Sequence, residues 1–264
     1  MAVADISTIT KTTTGGATTN NSNSIEQKTP IPVHIPSRPS IRSTASFAST
    51  ASTNSSSSTH LSEKPVETVT FRHGQVEDAA LMTEMQFSNY LYHYRDIAPK
   101  IFLDTLDYSK MTTRHVKRMT PPVDEREASY VVAERTSPTT GEPEIIGMSQ
   151  VMVPDWDRAY NHRFYDGWSQ DDFDCEIDTL YVKIGVQGGG LGRKLILGAL
   201  QEGYDRFNMR RGVIIWTLEG NTQARDFYKR VGCDEVAIRT LDLAGVPSEC
   251  IGYAFRTVGE AIGK

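Results

Sequence analysis

The chain has 264 residues, 38% of them apolar and 23% charged, with a formal net charge of −5 and three cysteines. Residues 1–60 hold 25 Ser or Thr, four Pro and only six charged side chains (Asp5, Lys11, Glu26, Lys28, Arg38 and Arg42), a composition that cannot bury enough surface to offset its ordering entropy. That leader carries four positive and two negative charges, which leaves −7 on the other 204 residues; attraction to a phosphate backbone is disfavoured, and no nucleic-acid partner is expected.

In chain order, residues 1–65 are therefore expected to be a disordered Ser/Thr-rich tail, with one domain from residue 66 to 264. The tail faintly resembles an organelle transit peptide, but its first arginine is Arg38 and no apolar core precedes a cleavage-like site. Val66 to Phe71 alternates apolar and polar residues and predicts a first strand. Ala80, Met82, Met85 and Phe87 predict a helix from Glu77 to about Tyr94. A second helix is expected over Pro99 to Met119, stopped by Pro121-Pro122. Ala128 to Arg135 and Glu144 to Val153 then read as an antiparallel hairpin across the turn Ser137-Pro138-Thr139-Thr140-Gly141. Between Pro154 and Asp174, six aspartates interleave with Trp156, Tyr160, Phe164, Tyr165, Trp168 and Phe173. This segment reads either as an acidic lid that attracts a cationic amine or as a solvated loop.

Cys175 to Val182 is the fourth expected strand. It runs into a glycine-rich turn and a helix bearing Leu191, Leu195, Ile196, Ala199, Leu200 and Phe207. The unbroken apolar run Val213-Ile214-Ile215-Trp216 predicts a strand covered on both faces and paired in parallel. A helix over Asn221 to Val231 aligns Ala224, Phe227, Tyr228 and Val231 on one face. Two closing strands, Glu235 to Leu243 and Ser248 to Arg256, flank the turn Ala244-Gly245-Val246-Pro247. The longest apolar stretch, Leu195 to Leu200, is six residues where a membrane span needs roughly twenty, so no membrane partner is expected. Cys175, Cys233 and Cys250 are odd in number and widely spaced, which disfavours disulfides and a metal site and makes a reducing, cytoplasmic compartment (or the nucleus) the expectation.

Val186-Gln187-Gly188-Gly189-Gly190-Leu191-Gly192-Arg193-Lys194 places four glycines where a strand meets a helix. Backbone without side chains lets a bulky anion approach, and a helix N-terminus offers unpaired N–H groups with a favourable dipole. The segment fits neither the dinucleotide fingerprint, which needs glycine where Arg193 stands, nor a P-loop, which needs Gly-Lys-Ser/Thr. It reads as a phosphate cradle or as a tightly packed turn.

Gln187-x-x-Gly190-x-Gly192, after a strand ending Leu180-Tyr181-Val182, resembles the coenzyme A motif of the GNAT N-acetyltransferase superfamily. Asn221-x-x-Ala224-x-x-Phe227-Tyr228-x-x-x-Gly232 resembles its second motif, in the right order. The resemblance covers roughly Val66 to Arg256, and the segment Pro154 to Asp174 departs from it by its length. It implies an α/β (α+β) fold: a mixed, mostly antiparallel sheet of six to seven strands with helices on both faces, splayed between the fourth and fifth strands. It implies acetyl-CoA as acyl donor and no metal. The backbone of Leu180, Tyr181 and Val182 would hold the pantetheine arm, and Gln187, Gly188, Gly189, Gly190, Leu191, Gly192 and Arg193 would bind the pyrophosphate. Phe227 would line the cofactor, while Asn221 would cap its helix or bond the arm.

Acyl transfer to an amine poses two proton problems. An ammonium with pKa roughly 10 must lose a proton, and the departing thiolate must regain one. Glu176 and Asp178 lie two apart on a strand and so share a face of the sheet. Glu176 resembles the family's catalytic base, with Asp178 in reserve; a structural or substrate-orienting carboxylate is the other reading. Tyr228 matches the family's tyrosine that reprotonates sulfur, and also belongs to a packing face. The function expected is acetylation of a small-molecule primary amine by a monomer or homodimer. The alternatives are a protein lysine or N-terminal acetyltransferase and a non-catalytic acyl-CoA sensor.

Overall fold

The computed structural model describes residues 68–120 and 128–263. The expected tail 1–65, the start of the first expected strand and the Pro121-Pro122 stop lie outside them. The strands are β1 (Val69–His73), β2 (Ser129–Thr136), β3 (Pro143–Met152), β4 (Tyr160–Phe164), β5 (Phe173–Val182), β6 (Gly212–Leu218), β7 (Asp234–Leu243) and β8 (Val246–Phe255). The helices are α1 (Ala79–His93), α2 (Lys100–Asp104), α3 (Tyr108–Met119), α4 (Leu191–Arg206), α5 (Thr222–Arg230) and α6 (Val258–Ile262).

All eight strands form one sheet in the order β1-β2-β3-β5-β6-β8-β7-β4. Every neighbouring pair is antiparallel except β5 and β6. Alternation along β6 shows how the sheet divides two cores: Ile214, Trp216 and Leu218 pack with Met82, Met85, Tyr90, Tyr94 and Phe102 on the face covered by α1 and α2. Val213 and Ile215 pack with Leu195, Ile196, Ala199 and Tyr228 on the face of α4 and α5. At roughly 25 cal/mol per Å² of apolar surface removed from water, these two layers supply the main drive to fold.

Three details differ from the sequence expectations. The sheet has eight strands rather than six to seven, because part of the aspartate-rich segment is itself a strand: β4 pairs with β7, and Trp156, Phe164 and Trp168 pack against the first core. The segment Pro154 to Asp174 is accordingly neither a simple solvated loop nor a detachable lid. The expected long second helix is two, α2 and α3, separated at Thr105 to Asp107, where the Asp107 side chain caps α3 by accepting the Lys110 N–H at 3.0 Å. A short helix, α6, follows β8 and packs on α4.

Candidate active site

The pairing of β5 with β6 stops at Ile177 opposite Ile215. From there Asp178 to Val182 and Trp216 to Leu218 diverge, although β5 stays paired with β3 as far as Val182 opposite Gly147. A register shift produces the divergence: Thr179 faces Gln150 and Ile177 faces Val151, so Asp178 is an extra residue on β5. Such a bulge bends its strand and increases local twist. The β5 edge beyond it therefore offers main-chain groups to a ligand rather than to β6.

The opened edge leads directly into the glycine turn. Gly188, Gly189 and Gly190 have φ of 111°, 58° and 74°, and a Cβ built on any of them meets nothing within 4 Å. Glycine is required there by backbone conformation, and the space over it is open. Gly190 caps α4, the Leu191 N–H bonds back to the Gly188 carbonyl at 3.2 Å, and Lys194 N–H bonds to Gly190 at 3.0 Å. Helix geometry leaves the amides of Gly192 and Arg193 without an intrahelical acceptor. A cavity of about 360 Å³ borders the turn, lined by Gly185, Gln187, Gly188, Gly189 and the cations Arg135 and Lys194 among others. These features fit a diphosphate.

Glu176 and Asp178 do share a face, and both are buried, at 2% and 1% exposure. Their environments differ. Asp178 is clamped: Arg118 Nη1 donates to Oδ2 at 3.1 Å, and Arg158 Nη1 donates to Oδ1. Glu176 is held more loosely, accepting the Asp155 N–H at 3.3 Å, with Arg158 at 3.7 Å and Arg239 at 3.9 Å. Burial pushes the Glu176 carboxyl above the ordinary range, opposed by Arg158 and Arg239 and helped by the charge of Asp178. Glu176 thus has fewer close donors than Asp178, and its raised pKa suits a proton acceptor.

On the opposite wall stands Tyr228 of α5. Its hydroxyl is buried with no hydrogen-bond partner among the described residues, and burial raises its pKa well above that of a free phenol, with contributions from Cys233, Tyr181 and Tyr253. Tyr94 and Tyr181 belong to the first core and Tyr228 to the second, yet the three phenols perturb one another electrostatically. Asn221 caps α5, accepting the Ala224 N–H at 3.1 Å, and also hydrogen-bonds Tyr94.

The model of the acetyltransferase (GNAT) family matches residues 94–233, a stretch from the end of α1 to just past α5 that holds the glycine turn and Tyr228. The chain belongs to this family. No curated protein matches it in sequence at a significant level. Among solved structures, a spermidine N-acetyltransferase from Vibrio cholerae aligns at 14% identity over 74% of this chain and 96% of its own, with a TM-score of 0.46. The PaiA N-acetyltransferase from Thermoplasma acidophilum, in complex with coenzyme A, aligns at 15% identity over 70% and 98%, TM-score 0.47. NAA60 from Arabidopsis thaliana, in complex with a bisubstrate analogue, aligns at 17% identity over 72% and 98%, TM-score 0.48.

In this GNAT protein the expected residues of β5, the glycine turn and α5 each take a definite place. Leu180 and Val182 turn their side chains into the α4 core while Tyr181 faces Tyr90 at a ring distance of 6.0 Å. Gln187 lies on the turn with its amide 3.3 Å from the His93 ring, and Phe227 sits beside Tyr228. Sequence reasoning missed Tyr94, Arg118, Arg158 and Arg239 as parts of the site. Arg239 carried a signal: on β7 it shares parity with Ala237, Leu241 and Leu243, all buried, so alternation alone points a charged side chain inward. Arg158 carried none, since nothing in its neighbourhood marks which polar residue of an aspartate-rich segment turns inside.

Proposed function

We propose that this GNAT protein is an acetyl-CoA-dependent N-acetyltransferase, its domain spanning 66–264, and that its acceptor is the primary amine of a small molecule. One observation carries the reading: the gap between β5 and β6 has an unpartnered buried phenol on one wall, a buried carboxylate at its closed end and a glycine cradle at its mouth. The small acceptor is favoured over a protein amine because the carboxylate is 2% exposed, with β4 and its flanks packed nearby.

In this reading the opened main chain of Leu180 to Val182 holds the thioester arm, and the turn from Gln187 to Arg193 binds the pyrophosphate. Glu176 takes a proton from the ammonium. The neutral nitrogen attacks the thioester carbonyl, a carbon–nitrogen bond forms, the carbon–sulfur bond breaks, Tyr228 protonates the departing thiolate, and the second proton lost by the nitrogen restores the phenol. Burial raises the phenol, which would make it a weak acid toward a solvated thiolate. The same surroundings also raise a thiol, since Cys233 next to Tyr228 is pushed up to about 12 by burial. Donor and acceptor thus move together. Asp178 acts as a positioning residue that fixes Arg118 and Arg158 around the base. Incubation of the full chain with acetyl-CoA and a panel of amines and peptides, reading thiol release and product mass, tests the reading. Acetylated small amines are expected; acetylated peptide alone would transfer the assignment to protein amines, and coenzyme A binding without turnover to a sensor.

A further inference from the structure

Beneath the β4 edge lies a group of hydrogen-bond donors that acetyl transfer does not use. Arg239 is 1% exposed; its guanidinium carbon stands 4.2 Å over the Trp216 ring, its nearest carboxylate is Glu176 at 3.9 Å, and it hydrogen-bonds the Cys250 thiol, opposite on β8. The His162 ring is 6.0 Å from that of Trp216, and the Arg239 charge reaches it. Arg239 Nε and Nη1, Trp216 Nε1 and His162 Nε2 are all buried without a hydrogen-bond partner among the described residues. Guanidinium and indole nitrogens only donate. A buried donor left unsatisfied forfeits its full desolvation cost, so several within one cluster of side chains call for an acceptor.

The backbone is arranged around the same place. In the β4–β7 ladder Tyr160 faces Thr240 and Arg163 faces Ile238, so Asn161 and His162 together stand opposite Arg239. Asn161 has φ of 55°, an uncommon conformation for a residue with a side chain. Bulges of this kind re-aim a side chain, and strained residues gather at binding sites. Charge points the same way. Of the buried arginines, Arg118 and Arg158 are taken by Asp178, and Arg158 also by Asp155 at 3.8 Å, whereas the nearest carboxylate to Arg239 is Glu176 at 3.9 Å.

We infer that Arg239, Trp216 and His162 form the receptor for a carboxylate carried by the acceptor, so that the amine acetylated belongs to the amino-acid class and not to the polyamines. This rests on the acetyltransferase reading above, and places the acceptor's anion beside Arg239 with its amine toward Glu176. Burial lowers the Arg239 pKa, opposed chiefly by the charge of Glu176.

The test uses the full chain and acceptors matched in all but charge: free amino acids, their carboxamides, and the corresponding diamines. The wild type is expected to favour the carboxylate over the carboxamide at least tenfold in kcat/KM, chiefly through KM. Arg239→Gln should collapse that ratio towards one, Arg239→Lys should restore part of it, and Trp216→Phe, which keeps the ring and removes the N–H, should lower it about threefold. Coenzyme A affinity measured by calorimetry reports whether each variant is folded. A second arm needs no turnover: binding of N-acetylated amino acids and of their amides to the coenzyme A complex, where the carboxylate should bind at least tenfold more tightly. Equal handling of carboxylate and carboxamide, a preference for diamines, or an unchanged ratio in folded Arg239→Gln overturns the inference. If no amine is acetylated, the catalytic reading fails by itself and the binding arm decides on the carboxylate receptor.

Discussion

At the scale of single residues, the proposed chemistry turns on two groups that differ in how far their surroundings satisfy them. Tyr228 has no partner for its hydroxyl among the described residues, so removing that oxygen costs little packing. Tyr228→Phe is expected to lower kcat at least tenfold with coenzyme A affinity nearly unchanged, as steady-state rates and calorimetry on one preparation would show. Glu176 must be ionised to accept a proton, and burial raises its pKa. The rate should therefore rise with pH along a limb lying above the ordinary glutamate value of 4.5, and Glu176→Gln should remove that limb while cutting kcat by roughly two to four orders of magnitude, the usual worth of a general base. Asp178 is the contrasting case. Deleting its charge leaves Arg118 and Arg158 buried with less compensation, so Asp178→Asn should lose about 3 kcal/mol or more of stability in denaturant titration, and its damage to rate should follow from misplaced arginines. Residue type and spacing made Glu176, Asp178 and Tyr228 legible in the sequence. The family resemblance put Glu176 before Asp178, but the physical ground for that order was not legible, because it depends on arginines that come from α3, the segment before β4, and β7.

At the scale of elements, the glycine turn was readable because the function proposed for it lies in the backbone and its signature is the lack of side chains. The structure adds that three successive glycines hold positive φ before α4 begins. Gly189→Val, at φ 58°, is expected to cost about 1 kcal/mol of stability and to weaken coenzyme A binding at least tenfold in calorimetry, since its side chain would occupy the open cradle. The strands β5, β6, β7 and β8 were equally plain, each a dense apolar or alternating run. The break between α2 and α3 was hidden because Asp107, the residue that caps α3, reads in sequence as one more polar position of a continuous helix. The bulge at Asp178 was hidden as well, since it is defined by register against β3 and by nothing local.

At the scale of the whole molecule, the aspartate-rich segment between β3 and β5 is part of the architecture. Arg158 enters the buried charge network, Phe164 and Trp168 pack with Phe173 at ring distances of 6.1 and 5.5 Å, and β4 completes the sheet. Read from composition, this segment offers a lid whose removal would weaken amine binding selectively. The structure predicts a different outcome: deletion of residues 158–170 should impair acetyl-CoA and amine kinetics alike and lower the melting temperature, because it removes a strand, a buried cation and two aromatic contacts together. Long-range pairing of this kind escapes a sequence whose alternation, Tyr160, His162 and Phe164, is short and bracketed by charge. The eighth strand has one more effect. By laying its own backbone along β7, the chain occupies a border that would otherwise template strand exchange with a second copy. Any assembly that extended the sheet from one protomer into another would have to begin at β1 or at the five residues of β4 itself.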